Sequence, residues 1–305
     1  MPVEKIQYLQ REEVDVGKWD RCVDEAANGL IYGYAIYLDS MAKHWDALVM
    51  GDYQAVMPLT WNKKYGIYYL YQPAFTASLG VFGNGLTGEE INRFVSSIPS
   101  KFKLVEISLN AGNKPSSLRS SVTIRNNYIL PLNRPYHDLY GSFRENTRRN
   151  IKRAQQYGAK HEFDVPISKI IDLSKQNFTN VTRTNDNDYI HFEELYSQLQ
   201  KENRAITSGV YLAGELVAST VYFFSHRRAY YILVGNHPNG KTIGASHFMI
   251  DRFIHSYAEQ DLILDFEGSD IRSLAFFYSS FGATVETYPS IRFNNLPWWA
   301  KILKR

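Results

Sequence analysis

Runs of β-branched and aromatic residues, cut by short polar or glycine turns, occur once in each half of the chain. In the first half, residues 47–53 predict a strand and a glycine turn, 54–61 a second strand, and 67–71 a third after the polar turn 62–66. In the second half, residues 209–215, 216–224 and 229–234 repeat the pattern, with 225–228 as the polar turn. Gly51 stands to Tyr68 and Tyr69 almost as Gly214 stands to Tyr230 and Tyr231, one residue out of step. Each run predicts a three-stranded antiparallel meander. Pro58 has no N–H to give a ladder, so it marks an edge or a bulge.

Helical spacing surrounds these meanders. Residues 167–178 and 188–203 predict helices, the second with Phe192, Leu195, Tyr196 and Leu199 as its apolar stripe. Residues 236–246 predict a turn-rich loop that opens onto a helix burying Met249, Ile250, Phe253, Ile254 and Tyr257. A short strand at 262–267, a helix at 271–281 stopped by Gly282, and final strands over 284–293 complete the chain. In the first half, a helix starts near Thr87 with Glu90 at its third position. The pattern predicts an α+β fold in two similar domains, residues 1–135 and 136–305.

Composition narrows the class without naming it. At 305 residues, 44% hydrophobic and 21% charged, the chain can bury two ordinary cores. A net charge of only +3 gives no global pull toward nucleic acid, so such a contact needs a local patch. Cys22 is the sole cysteine, which excludes an intrachain disulfide and fits a reducing compartment. The N-terminal segment has no apolar run of the signal-peptide kind, and no long uncharged apolar stretch occurs, so a cytoplasmic protein is expected. Aromatic residues reach 14%, with 22 tyrosines, as in groove walls and antiparallel cores alike.

Two segments carry candidate chemistry. Lys241-Thr242-Ile243-Gly244-Ala245-Ser246 precedes a helix, where converging amides and the helix dipole favour phosphate; a plain helix cap has the same composition. Residues 142–157 predict a helix with Ser142 and Glu145 as a capping box and Gly158 as its left-handed stop. Phe143, Thr147, Ile151 and Ala154 form its apolar stripe, and Arg144, Arg148, Arg149, Lys152 and Arg153 cover the opposite half-turn. That face reads as solvated surface or as a contact for an anionic partner. His237, His247 and His255 are scattered and no cysteine pair exists, so no metal site is expected. No Gly-x-Ser-x-Gly elbow suggests a serine hydrolase.

The order of elements resembles the GNAT (acyl-CoA N-acyltransferase) superfamily. The segment from Lys241 to Ser246 is similar to its pyrophosphate loop Gln/Arg-x-x-Gly-x-Gly/Ala, with Lys in the first place and Ser246 in the last. Ala275-Phe276-Phe277-Tyr278-Ser279-Ser280-Phe281-Gly282 looks like the signature of its last helix, where the Tyr often protonates the departing thiolate. The stretch 143–158 resembles the segment opening the second domain in Fem-type peptidyl transferases and other tandem-GNAT proteins, without the helical-hairpin arm some of them insert. The resemblance implies two tandem GNAT-like domains, each a mostly antiparallel twisted sheet flanked by helices. It implies an acyl-CoA donor, or an aminoacyl-tRNA as in relatives that act on cell-wall precursors. It also implies an amine acceptor and no metal.

Site residues follow from that resemblance. Val234, Gly235, Gly240, Lys241, Thr242, Gly244, Ala245 and Ser246 would hold the donor, with amides near a bulge at Leu233 stabilising the oxyanion. Tyr278 would be the general acid, though it shares a helix face with Ile271, Leu274 and Phe281 and reads equally as core. Of Asp265 and Glu267 only one can face a cleft, and Glu267 is the expected base or amine-orienting group. In the first half, residues 72–88 form a long Gly/aromatic loop in place of a phosphate loop, so that domain is expected to have lost its donor pocket and to shape the acceptor site. Tyr68, Tyr71, Gln72 and Phe75 are its wall candidates, and Arg148, Arg149 and Arg153 the candidates for an anionic substrate. The rival reading is a non-catalytic protein that keeps the fold and a basic groove between its domains. The C-terminal Trp298 and Trp299, flanked by cations, would either pack on the second domain or touch a membrane surface.

Overall fold

A computed structural model describes residues 4–116, 121–177, 184–268 and 270–298. The elements begin with β1 (Ile6–Leu9), α1 (Val16–Glu25), α2 (Ala35–Met41), β2 (His44–Met50), β3 (Ala55–Lys64) and β4 (Ile67–Leu70). They continue with β5 (Phe82–Gly83), α3 (Gly88–Ser96), β6 (Phe102–Ser108), β7 (Ser121–Pro131), α4 (Tyr136–Ser142) and α5 (Glu145–Gln156). Next come β8 (Lys160–Phe163), α6 (Ile167–Asn177), α7 (Asp186–Lys201), β9 (Ala205–Leu212), β10 (Glu215–Ser225) and β11 (Arg228–Asn236). The last are α8 (Pro238–Ile243), α9 (Ala245–Tyr257), β12 (Ile263–Asp265), α10 (Arg272–Ser279) and β13 (Thr284–Asn294).

Two compact units result, each with its own core. Unit 1 takes the described residues up to Arg125 and those from Thr287 onward; unit 2 is Asn126–Glu286. The strand order is β1-β2-β3-β4-β6-β13 in unit 1 and β8-β9-β10-β11-β12-β7 in unit 2. These are one topology used twice. In each, an antiparallel four-strand run ends in a parallel pair, β4 with β6 or β11 with β12, and a sixth strand lies antiparallel beyond it. The meanders expected from the sequence are therefore present with the same order.

The boundary differs from the expected 1–135 and 136–305. The sixth strand of unit 1 is β13, from the far end of the chain, and its Ile291 is fully buried in one cluster with Val105, Ile107 and Leu109 of the same unit. The sixth strand of unit 2 is the later part of β7, ahead of the expected boundary, with Leu130 buried against β12. Pro58 pairs with Ala47 of β2, while β5 and β4 meet β3 only at residues 55–56 and 61–64, so its missing N–H falls in the gap between them.

Local chemistry explains other differences. The capping box Thr87/Glu90 starts α3 as expected. Ser142 does not cap α5: it closes α4, its hydroxyl donating to Leu139 O at 2.6 Å. Phe143 is extended and 2% exposed, Arg144 is the N-cap residue without a side-chain cap, and its amide donates to Ser280 O. Burial of the extended Phe143 delays the predicted helix to Glu145 and separates it from α4. Thr147, Ile151 and Ala154 are buried as the stripe requires, and Gly158 has φ +76°. Trp298 is 76% exposed, not packed on a core, and Trp299 lies outside the described residues. Among the described residues no helix is long and apolar enough to cross a membrane.

Candidate active site

In unit 2 the parallel strands β11 and β12 pair only over Arg228–Tyr230 and Ile263–Asp265. Past that point β11 continues beside β10 to Asn236, while the chain after β12 follows β7, with Phe266 N donating to Tyr128 O. A V-shaped opening follows from this divergence. On its β11 side the register against β10 skips Leu233, which has φ +51° and is buried. A bulged residue leaves its own backbone polar groups out of the ladder. The bulge expected at Leu233 is present.

The other side of the opening carries the two candidate catalytic groups. Glu267 is half-buried, with φ +65°, and its amide donates to Asp265 Oδ1 at 2.9 Å. Asp265 is not available for chemistry: Arg228 Nη1 lies 2.7 Å from Oδ2, Asn127 Nδ2 2.9 Å from Oδ1, and Arg228 also clasps Glu286 at 2.6 Å. This buried cluster fixes the turn that presents Glu267. Tyr278, 8% exposed, stacks on Phe266 with ring centres 4.8 Å apart and meets Tyr231 edge-on at 6.4 Å. Its hydroxyl has no hydrogen-bond partner among the described residues. Burial, with the nearby charge of Glu267, pushes the phenol's pKa well up, so it is a neutral donor at ordinary pH. The apolar face expected for α10 is only partly core: Phe281 is buried, whereas Ile271 and Leu274 are 57% and 39% exposed. The Tyr278 ring is nonetheless part of the unit 2 core, as the core reading expects.

The expected phosphate loop is a different object. Residues 238–243 form α8, capped by His237 through its Nδ1 and started by Pro238, and Gly244 with φ +83° turns the chain into α9. Lys241 and Thr242 are exposed, and Ser246 donates to Asn236 Oδ1. Gly240 and Gly235 are small for packing: a Cβ would lie 2.1 Å from Val217 O in the first case and 2.8 Å from Ser219 Oγ in the second. Val234 is half-buried beside the bulge, and Ala245 is fully buried.

The structure joins this turn to the basic helix. A Cβ at Gly244 would lie 2.9 Å from Asn150 O of α5, and Arg153 Nη1 donates to Thr242 O at 3.3 Å. Arg144 lies over the Phe276 ring at 4.6 Å. No described carboxylate pairs with Arg144, Arg148, Arg149, Lys152 or Arg153. The cationic face is thus beside Lys241, which the spacing along the chain did not show.

The unit 1 residues do not gather into one wall. Tyr68 and Tyr71 are three residues apart on an extended run and so face opposite sides. Tyr68 lies under Lys63 and near Trp61, whereas the Tyr71 hydroxyl accepts from Lys43 N. Gln72 Oε1 accepts from Ser108 N, and the Phe75 carbonyl takes the Tyr37 hydroxyl. Leu79 pairs with Leu109 and is buried, with Asn113 fixing Val81. The opening between β4 and β6 that would match the one in unit 2 is filled by this loop. Sequence reasoning missed Tyr231 and Phe266; their alternation along strands flanking the opening was the available signal.

The fold is of the GNAT type. Residues 141–271, less than half of the chain, match the family model described as "Acetyltransferase (GNAT) domain". A comparison with curated proteins finds no match. Among solved structures, FemX is similar at 13% identity and a TM-score of 0.66, over 97% of this chain and 99% of that one. A tandem GNAT protein from the clavulanic acid biosynthesis pathway is similar at 9% identity and 0.55, over 96% and 99%. L-PGS from Bacillus licheniformis is similar at 10% identity and 0.53, over 95% and 94%. The chain is a two-domain GNAT-fold protein of Fem-like architecture.

Proposed function

We propose that this protein transfers an acyl group from a CoA thioester to an amine, with unit 2 as its donor-binding, catalytic domain. The observation that carries this reading is the unpartnered, neutral Tyr278 hydroxyl on a ring held by Tyr231 of β11 and Phe266 after β12, where the two strands part. The amine attacks the thioester carbonyl, amides at the bulge stabilise the oxyanion, and Tyr278 protonates the sulfur as the C–S bond breaks. Glu267 takes the proton that the amine loses as the C–N bond forms. Lys241, Ser246 and the α8–α9 turn hold the donor's phosphates. Unit 1, its own opening filled by the loop after β4, serves the acceptor.

The unpaired cations of α5 favour a second donor, an aminoacyl-tRNA, whose phosphates would lie along Arg148, Arg149 and Arg153. A cell-wall precursor is the acceptor proposed for either donor. Thermal-shift titration with a panel of acyl-CoAs, beside a filter-binding assay with charged tRNA, separates the readings. Stabilisation by acyl-CoA and turnover with an amine support the first, and charged-tRNA binding with aminoacyl transfer the second. Binding without transfer of either group leaves a non-catalytic binding protein.

A further inference from the structure

Behind Tyr278 lies a file of phenols that the reaction as described does not use. Tyr231 of β11, 3% exposed, contacts Tyr278 with ring centres 6.4 Å apart. Tyr222 of β10, fully buried, is the cross-strand partner of Tyr231, at 5.6 Å between ring centres. None of the three hydroxyls bonds to a described residue, and the Tyr222 oxygen is sealed from solvent. Buried polar groups are ordinarily hydrogen-bonded, and one left alone costs on the order of 1–3 kcal/mol. The sealed Tyr222 oxygen is such an exception, and the two unbonded hydroxyls in file with it, beginning at the candidate acid, point to a shared partner.

We infer that Tyr231, with Tyr222 behind it, is a positioning residue for Tyr278: the three phenols form a relay, joined through water, that stabilises and reprotonates Tyr278. This rests on the acyl-transfer reading above. The balance is simple. Tyr278 gives its O–H proton to the sulfur as the C–S bond breaks, which leaves a phenolate in a buried place. Tyr231 then supplies a proton to that oxygen and regains one from water, with Tyr222 holding Tyr231 in place, while the amine's lost proton leaves through Glu267. A phenolate isolated in an apolar core is strongly disfavoured, so a donor behind it lowers the cost of the step. The groups that face the file are Glu267 at Tyr278, Tyr128 beside the Tyr278 ring, and Tyr257 at Tyr222. Burial raises the proton affinity of all three phenols, Tyr278 adding to that of Tyr231 and Tyr231 to that of Tyr222.

The test uses the full chain and Tyr231→Phe, which removes one oxygen and keeps the ring. With an alkyl thioester donor, kcat should fall about tenfold at unchanged KM. With an aryl thioester, whose thiolate leaves without a proton, the loss should vanish. Equal losses with both donors would show a packing role and overturn the relay. Independently of turnover, the ¹³Cζ resonance of Tyr278, assigned from its absence in Tyr278→Phe, should move in Tyr231→Phe and titrate at higher pH. An unmoved resonance overturns the relay even in an active enzyme. A wild-type protein that turns over no donor, yet shows the shift, keeps the phenol file and removes the acyl-transfer reading instead.

Discussion

Tyr278 illustrates how one side chain's role is set by what it fails to touch. Its ring is held by Phe266 and Tyr231, but its hydroxyl has no described partner. Tyr278→Phe should therefore leave the melting temperature within a few degrees of wild type and lower kcat about a hundredfold, measured with an alkyl thioester. Retention of full activity would remove Tyr278 from the chemistry. A second prediction concerns protons. Burial holds His161 and His247 down to about 4 from the ordinary 6.5. Both are neutral in the folded and unfolded states above pH 6.5, so neither affects stability there. Between pH 6.5 and 4 the unfolded chain takes up protons that the folded chain refuses, so stability falls as the pH drops. The slope should be on the order of 1 kcal/mol per pH unit for each histidine. Urea unfolding at pH 7 and pH 5 checks this, and a flat profile would mean that both rings open to water.

Among the elements, the α8–α9 turn and α5 act as a pair. Gly244 must be glycine, because its φ is +83° and its Cα faces the Asn150 carbonyl. Gly244→Ala should cost roughly 1–2 kcal/mol from the left-handed backbone alone, seen as a lower melting temperature. Gly244→Pro, which cannot adopt that φ, should break the turn outright, so it does not isolate donor binding. Lys241→Ala is the cleaner probe: exposed and unpaired with any described carboxylate, it should weaken donor affinity at constant stability. The basic face of α5 permits a parallel test. Changing Arg148, Arg149 and Arg153 together to Gln breaks no described ion pair, so the melting temperature should hold. Binding of an anionic substrate should weaken and lose salt dependence, measured at two salt concentrations. Unchanged binding makes the face a solvated surface.

For the whole molecule, the consequence of the fold is that neither unit is a continuous half of the sequence. A fragment covering residues 1–135 lacks β13, and with it the buried Ile291 that completes the unit 1 core. That fragment should aggregate or show a broad, early melt by circular dichroism. Adding residues 284–298 in trans as a peptide should restore a cooperative transition. A fragment that folds cooperatively on its own would show that the sixth strand is dispensable. Replacing Ile291 by Ala in the full chain should cost about 2–5 kcal/mol, since it empties a fully buried site.

What the sequence determined by itself was local and periodic. The two meanders, the α7 stripe of Phe192, Leu195, Tyr196 and Leu199, the Thr87/Glu90 cap and the left-handed Gly158 all follow from residues within a few positions of one another. The α+β class and the repeat were legible for that reason. Tertiary structure decided the rest. Burial of Phe143 moved the start of the predicted helix from Ser142 to Glu145 and set it apart from α4, which spacing did not predict. The Gly/Ser loop became α8 because His237 and Pro238 start a turn that Gly244 ends, a cap visible only once the chain packs on Val217. The exchange of β13 and β7 and the tyrosine file were invisible for one reason. Strand partners and cross-strand neighbours are fixed by which surfaces bury each other, and residues distant along the chain, such as Leu104 and Asn294 or Tyr128 and Tyr278, leave no periodic trace of meeting.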